Sequence, residues 1–214
     1  MKQKIFEIPP SIARQYLIEG EAGYLLIDTG LVTNYTRIKK FLINQSIPID
    51  KIEMVIITHA DADHFGCLSL LQDSVPSLVC AASLVEAEAI RKGQSSRELE
   101  PVGISRFFFS LARPLFKSSP AQINRILNIG EELPYLGGLE VINSAGHTPG
   151  HISLWSSMTR TLFCGDSITI KGNLLYPSTG GNTWNLEKAC ESFEKQLELQ
   201  PDRILAGHGT WHRD

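Results

Sequence analysis

Short apolar runs separated by hinges of glycine, proline and polar residues set the rhythm of this chain. Residues 5–8, then Tyr16, Leu17 and Ile18, then Tyr24, Leu25, Leu26 and Ile27 are rich in branched and aromatic side chains, which predicts strands in a meander. Glu19-Gly20-Glu21-Ala22-Gly23 is the turn between the second and third. A helix is predicted after Thr33 or Asn34, either a good cap, with Ile38, Phe41 and Leu42 on one face and Lys39 and Lys40 toward water. Met54-Val55-Ile56-Ile57 is wholly apolar, as a strand buried on both faces would be. Gly66 is expected to bend the chain into a helix over 67–72.

Residues 77–81 predict another strand, and Ser83 and Glu86 stand at capping-box spacing for a helix running toward Arg91. From 93 to 132 the pattern loosens, although Phe107, Phe108, Phe109, Leu111, Leu115 and Phe116 make 106–116 strongly apolar. That piece is open to three readings: core packing, a lid forming an apolar wall over a site, or an oligomer contact. A helical lid insertion is expected around 84–129. Strands follow at 139–143, 152–155 and 161–164. The last helix, capped by Thr183 or Asn185, is expected to turn Leu186, Ala189, Cys190, Phe193 and Leu197 inward before Pro201 stops it. A strand at 203–206 closes the series, and the strand–helix–strand order predicts an α/β fold.

Composition narrows the class. A chain of 214 residues is expected to be one domain, 1–214, with a substantial core. A net charge of −3 gives no footprint for nucleic acid or an acidic membrane. The N-terminus lacks a signal-peptide core and no apolar stretch reaches membrane-spanning length. Cys67, Cys80, Cys164 and Cys190 are widely spaced, which fits buried thiols in a reducing cytoplasm better than a disulfide framework. The expected setting is cytoplasmic, with a small-molecule substrate and an oligomeric state the sequence leaves open.

Candidate chemistry concentrates where apolar runs stop. After residues 54–57 come His59, Asp61, Asp63 and His64 within six positions. In an extended loop His59 and Asp61 face the same way, and a second cation could sit one turn on, between Asp63 and His64. Imidazole and carboxylate suit zinc, iron(II) and manganese(II). The other reading of this stretch is a helix N-terminus with aspartates at its positive end and two incidental histidines. The remaining chain adds His147 and His151, Asp166 and His208. An apolar strand, a small or polar hinge and a ligand-type residue recur four times, which helix capping does not predict.

Together, Thr58 to His64, the segment Gly146-His147-Thr148-Pro149-Gly150-His151, Gly165-Asp166 and Gly207-His208-Gly209 resemble the motif series of the metallo-β-lactamase-fold superfamily. Leu26-Ile27-Asp28-Thr29-Gly30 is similar to an early motif of the same family. The resemblance implies a four-layer αββα sandwich. It implies that His59, Asp61 and His147 hold a first cation, that Asp63, His64 and His208 hold a second, and that Asp166 bridges them. Asp61 stands where the family motif H-x-H-x-D-H has its second histidine. Two divalent ions are therefore expected, zinc first, with iron or manganese favoured more than in a three-histidine site. On that account Asp61→His should raise the zinc share. His151 is expected to hydrogen-bond beside the site rather than ligate, and His212 to be solvated. Asp28 is read as bonding its own turn in preference to supporting a ligand.

The resemblance implies a hydrolase in which a bridging hydroxide attacks an acyl carbon or phosphorus, with Asp63 ligating, orienting that hydroxide and carrying a proton. The Gly-His-Thr-Pro-Gly-His form is similar to the thioesterase and lactonase branches. Few residues follow His208, without the added C-terminal helices of family glutathione-thioesterases, so an ester or lactone with an apolar part is expected. Tyr176 is read either as a donor to substrate or as a surface tyrosine. The alternatives are a phosphodiester or phosphonate hydrolase, and a metal-binding module with little turnover.

Overall fold

The computed structural model describes residues 3–97 and 118–213. Strands β1 (Ile5–Ile8), β2 (Gln15–Glu19), β3 (Tyr24–Ile27), β4 (Ile52–Ile56), β5 (Val79–Ala82) and β6 (Arg125–Ile126) form a first sheet in sequence order. Its first three strands are antiparallel, as short turns allow, and β3 to β6 are parallel, as crossover helices require. The crossovers are α1 (Asn34–Asn44), α2 (Ala62–Phe65) with α3 (Leu68–Ser74), and a connection beginning with α4 (Leu84–Lys92).

The second sheet takes β7 (Glu132–Leu133), β8 (Leu139–Asn143), β9 (Ile152–Ser156), β10 (Thr161–Gly165), β13 (Arg203–Ala206) and β14 (Gly209–His212) in the order 14-13-10-9-8-7. A separate hairpin pairs β11 (Ile168–Lys171) with β12 (Leu174–Pro177), and α5 (Leu186–Glu198) connects it to β13.

Alternation along the strands builds the layers. On β3, Leu25 and Ile27 point into a core shared with Met54, Ile56, Val141, Leu154, Phe163 and Leu205, which joins the two sheets. Leu26, with Val55 of β4, points the other way, onto Ile38 and Leu42 of α1, Leu71 of α3 and Ile90 of α4. The outer face of the second sheet packs Leu162, Cys164 and Ile204 against Phe193 and Leu197 of α5. Helices, sheet, sheet, helix is the αββα sandwich that the sequence led us to expect. β4 lies between β3 and β5 with both faces covered, so its C-terminal end opens where the two sheets meet.

Several expectations change. Gly66 lies between α2 and α3 with helical backbone angles (φ −58°, ψ −29°) that any residue can adopt. A Cβ there would lie 2.3 Å from the Ala62 carbonyl oxygen and 2.9 Å from that of Gly30, so glycine is required by close packing. Along α5, Leu186 and Cys190 are exposed, and the buried positions are Ala189, Ser192 and Gln196. The inner face is part polar because Gln196 Oε1 accepts from Ser153 and Ser167, each at 3.0 Å, and Ser192 donates to the Ala145 carbonyl. Cys67, Cys80 and Cys164 are buried free thiols, while Cys190 is free and exposed. Burial pushes the Cys80 thiol up to about 11 and the Cys67 thiol up to about 12, so both pack as small neutral groups. The apolar piece 106–116 lies outside the described residues, as do all of residues 98–117 within the insertion expected around 84–129. Of the described part, α4 packs on the first sheet through Ala87 and Ile90, and Arg125–Ile126 is the sheet's own last strand. No helix among the described residues is long and apolar enough to cross a membrane.

Candidate metal centre

Strand ends deliver the site. His59 and Asp61 follow β4, Asp63 and His64 lie in the single turn of α2, His147 follows β8, Asp166 follows β10, and His208 occupies the tight turn between β13 and β14. All seven residues converge. His59, Asp61 and His147 present ligand atoms within 4.8 Å of one another, as do Asp63, His64 and His208, and as do His59, His64 and Asp166. Asp166 touches both sides: Oδ1 is 3.2 Å from His64 Nε2, and Oδ2 is 3.2 Å from His208 Nε2 and 3.7 Å from His147 Nε2. Gly207 is required here, because a Cβ would lie 2.3 Å from Asp166 Oδ1.

The hydrogen bonds fix which nitrogen of each ring faces inward. Asp28 Oδ2 accepts from His64 Nδ1 at 2.8 Å. The Thr58 hydroxyl gives its one hydrogen to Asp28, so it accepts from His59 Nδ1 at 3.0 Å. His147 Nδ1 is 2.9 Å from Ser178 Oγ. All three histidines therefore turn Nε2 inward. His59 Nε2, His64 Nε2 and Asp166 Oδ1 are buried without a hydrogen-bond partner among the described residues. Buried polar atoms without partners are costly, and a shared cation satisfies such a set. The donor set thus fits a divalent ion.

Protonation follows the same logic. Burial works against charge on His64, but Asp166, Asp28 and Asp63 overrule it and hold the ring well above its ordinary value. Burial would raise Asp166, yet His64 and His208 hold it well below the carboxylate range. His208 itself is raised, chiefly by its hydrogen bond to Asp166. Burial lowers His147 despite the neighbouring Asp61. The His208 side chain is 46% exposed against 14–16% for the three carboxylates and 0% for His64, so the site opens beside His208.

Three supporting residues surround these side chains. Asp28 reaches His64 and, at 2.8 Å, the backbone N–H of Thr58, so it orients a ligand-type ring instead of closing its own turn. Its backbone sits at φ +57°, a left-handed conformation that lets the carboxylate leave β3 toward α2. Glu86 is fully buried, and its spacing from Ser83 signals only a helix start. Ser83 does cap the helix, but the Glu86 carboxylate turns away from it. It accepts from Ala60 N, Gly150 N and the Thr148 hydroxyl at 2.7–2.8 Å, tying the His59 loop to the His147 loop. His151 accepts from the backbone N–H of Asp166 at 3.1 Å, and its Nδ1 lies 2.7 Å from Ser144 Oγ.

Burial holds His151 well below the ordinary histidine value. Its folded value is depressed, so its contribution to stability is complete above the unfolded value of about 6.5 and is lost as pH falls from there toward the folded value. Below about pH 6.5 the unfolded chain binds a proton the folded one refuses, a slope of about 1.4 kcal/mol per pH unit. Urea unfolding of wild type should steepen its acid loss by that amount relative to His151→Gln; parallel profiles would remove this account.

One further residue was not anticipated. Arg97 is buried, and its guanidinium forks onto Asp61, Nη1 to Oδ1 at 2.9 Å and Nη2 to Oδ2 at 2.7 Å. Nη2 also lies 3.4 Å from His147 Nε2, while Ser95 donates to the same Asp61 Oδ1 at 3.0 Å. Burial would raise Asp61, but His147, His59 and Arg97 hold it well below the usual range. Tyr176, on β12, is 40% exposed with the Lys171 ammonium 5.6 Å from its ring centre, the surface reading of the two. His212 is exposed, as expected.

Compared with known proteins, residues 8–208 match the family model described as the metallo-beta-lactamase superfamily. An uncharacterized protein, YobT, of Bacillus subtilis is 28% identical over 210 residues, spanning 92% of this chain and 83% of that protein. A hydroxyacylglutathione hydrolase of Haemophilus ducreyi is 29% identical over 119 residues, 55% of this chain and 36% of that enzyme. Among solved structures, the metallo-beta-lactamase family protein TTHA1429 from Thermus thermophilus is similar in fold, with a TM-score of 0.72 at 19% identity over 99% of this chain and 75% of that one.

Proposed function

The chain belongs to the metallo-beta-lactamase superfamily, and from that premise we propose that it hydrolyses an ester, lactone or thioester bond of a small molecule with the help of divalent metal. The observation that carries the proposal is the set of buried, inward-facing polar atoms on His59, His64 and Asp166, which no hydrogen bond among the described residues satisfies. His59, Asp61 and His147 would hold one cation and Asp63, His64 and His208 another, with Asp166 between them. Divalent metal there, zinc in the first instance, supplies Lewis acidity toward a carbonyl oxygen and brings the pKa of water down toward about 7.

The chain's own residues do the rest. Asp28 and Thr58 hold His64 and His59 in the tautomer that points Nε2 inward. Glu86 fixes the spacing of the two loops, and neutral His151 anchors the backbone of Asp166. Asp63, at the open edge 3.5 Å from His208 Nε2, is placed to accept the proton of the attacking water and return one to the leaving group. Likeness to a hydroxyacylglutathione hydrolase supports including thioesters in the substrate class, and the net charge of −3 disfavours a nucleic acid.

The test is elemental analysis of freshly purified protein, followed by panels of esters, lactones, thioesters and chromogenic phosphodiesters before and after chelation. We expect bound divalent metal and acyl hydrolysis that chelation abolishes and added metal restores. Faster turnover of phosphodiesters would overturn the substrate class; metal-loaded protein inert on every panel would favour a binding module.

A further inference from the structure

Arg97 separates the two halves of the site. Asp61 is the sole carboxylate of the first group, and both its oxygens are already engaged by a guanidinium. The fork is the strongest geometry available between these side chains, and both partners are largely out of water, with side-chain exposures of 3% and 16%. Nη2 lies against two of the three ligand atoms of that group, Asp61 Oδ2 and His147 Nε2. An arginine nitrogen thus holds, with one positive charge, the place the first cation would need.

Formal charge makes the contrast plain. At the first position the guanidinium cancels Asp61 and leaves only a share of Asp166, so a divalent ion gains less attraction there and meets a like charge a few ångströms away. The second position is different. Asp63 and Asp166 pair only with histidines among the described residues, with no lysine or arginine within salt-bridge distance. Two carboxylates without a fixed cation draw a dication strongly.

We propose that Arg97 makes the two cation positions unequal: the second, at Asp63, His64, His208 and Asp166, loads first and alone, while the first loads at least about a hundredfold more weakly because Arg97 must leave Asp61. This rests on the metal-binding reading above and adds an order of loading to it. The low-affinity position then responds to metal supply, with Arg97 as the competing cation.

Chelator-stripped wild type, Arg97→Met, His208→Ala and His147→Ala would be titrated with zinc alone by calorimetry, with circular dichroism to check folding. Wild type should bind one tight equivalent, with a second at least about a hundredfold weaker or absent. Arg97→Met should bring the second equivalent to within about tenfold of the first. His208→Ala should lose the tight equivalent, whereas His147→Ala should keep it. Two equivalents of matching affinity in wild type would overturn the inference, as would a folded Arg97→Met with the wild-type second affinity. Loss of the tight equivalent in His147→Ala but not in His208→Ala would reverse the order and also overturn it. These outcomes leave the metal reading standing, whereas folded wild type that takes no zinc overturns both; if Arg97→Met fails to fold, the two histidine variants still decide.

Discussion

Replacing Asp63 by alanine should lower kcat/KM on the protein's own best substrate by about 10²–10⁴-fold, the range for removing a positioned proton-transfer group. Asp63 stands apart from the other two carboxylates of the site. Asp61 is claimed by Arg97, and Asp166 is wedged between His64 and His208. Among the described residues Asp63 pairs only with ring nitrogens, 3.5 Å from His208 and 4.0 Å from His64, beside the exposed His208. The side chain is therefore free to face a substrate without breaking a stronger bond. Asp63→Asn separates its roles, because an amide oxygen can still ligate but cannot take a proton. We expect Asp63→Asn to retain metal by elemental analysis while losing most of kcat. Full activity in metal-loaded Asp63→Ala would remove Asp63 from the chemistry.

Much of this site was legible because its residues announce themselves where they stand. A wholly apolar strand can stop at histidine and aspartate only if something outside the strand receives them, and that juncture recurs at His59, His147, Asp166 and His208. The layers followed from the same alternation: Leu25 and Ile27 face one way along β3 and Leu26 the other. What the sequence hid are residues whose meaning lies in a distant partner. Glu86 reads as a capping-box glutamate because its spacing from Ser83 fits one, while the backbone donors it meets, Ala60 and Gly150, lie 26 and 64 positions away. Asp28 reads as a turn residue until α2 brings His64 across 36 positions. The inner face of α5 was mistaken in part for the same reason: Ala189, Phe193 and Leu197 do face the core, but Gln196 is buried to meet Ser153 and Ser167, and apolar periodicity has no means of pairing a polar residue with others elsewhere in the chain. Arg97 is the extreme case, since a single arginine in a loosely patterned stretch gives no sign that it is buried.

Arg97 also reverses the simplest expectation from Asp61. Read alone, the sequence makes Asp61→His a route to a three-histidine position of the kind zinc accepts. In the structure that substitution would strand a buried guanidinium beside His59, His147 and a new imidazole, with no carboxylate left to receive its fork. Removing one partner of a buried pair costs about 3–5 kcal/mol, which for a chain of this size lowers the melting temperature by on the order of 10 °C. Asp61→His should therefore unfold earlier than wild type and bind no more zinc. Adding Arg97→Met removes the stranded charge and leaves an uncharged side chain of similar length, so the double variant should regain most of the lost stability. With the competing cation gone and three imidazoles present, it should also hold more zinc per chain than Asp61→His alone. Thermal unfolding and elemental analysis of the two single variants and the double variant measure both effects, and their non-additivity reports the coupling directly. An Asp61→His protein as stable as wild type would mean that Arg97 does not depend on Asp61 for its charge, and the neutralised first position would lose its basis.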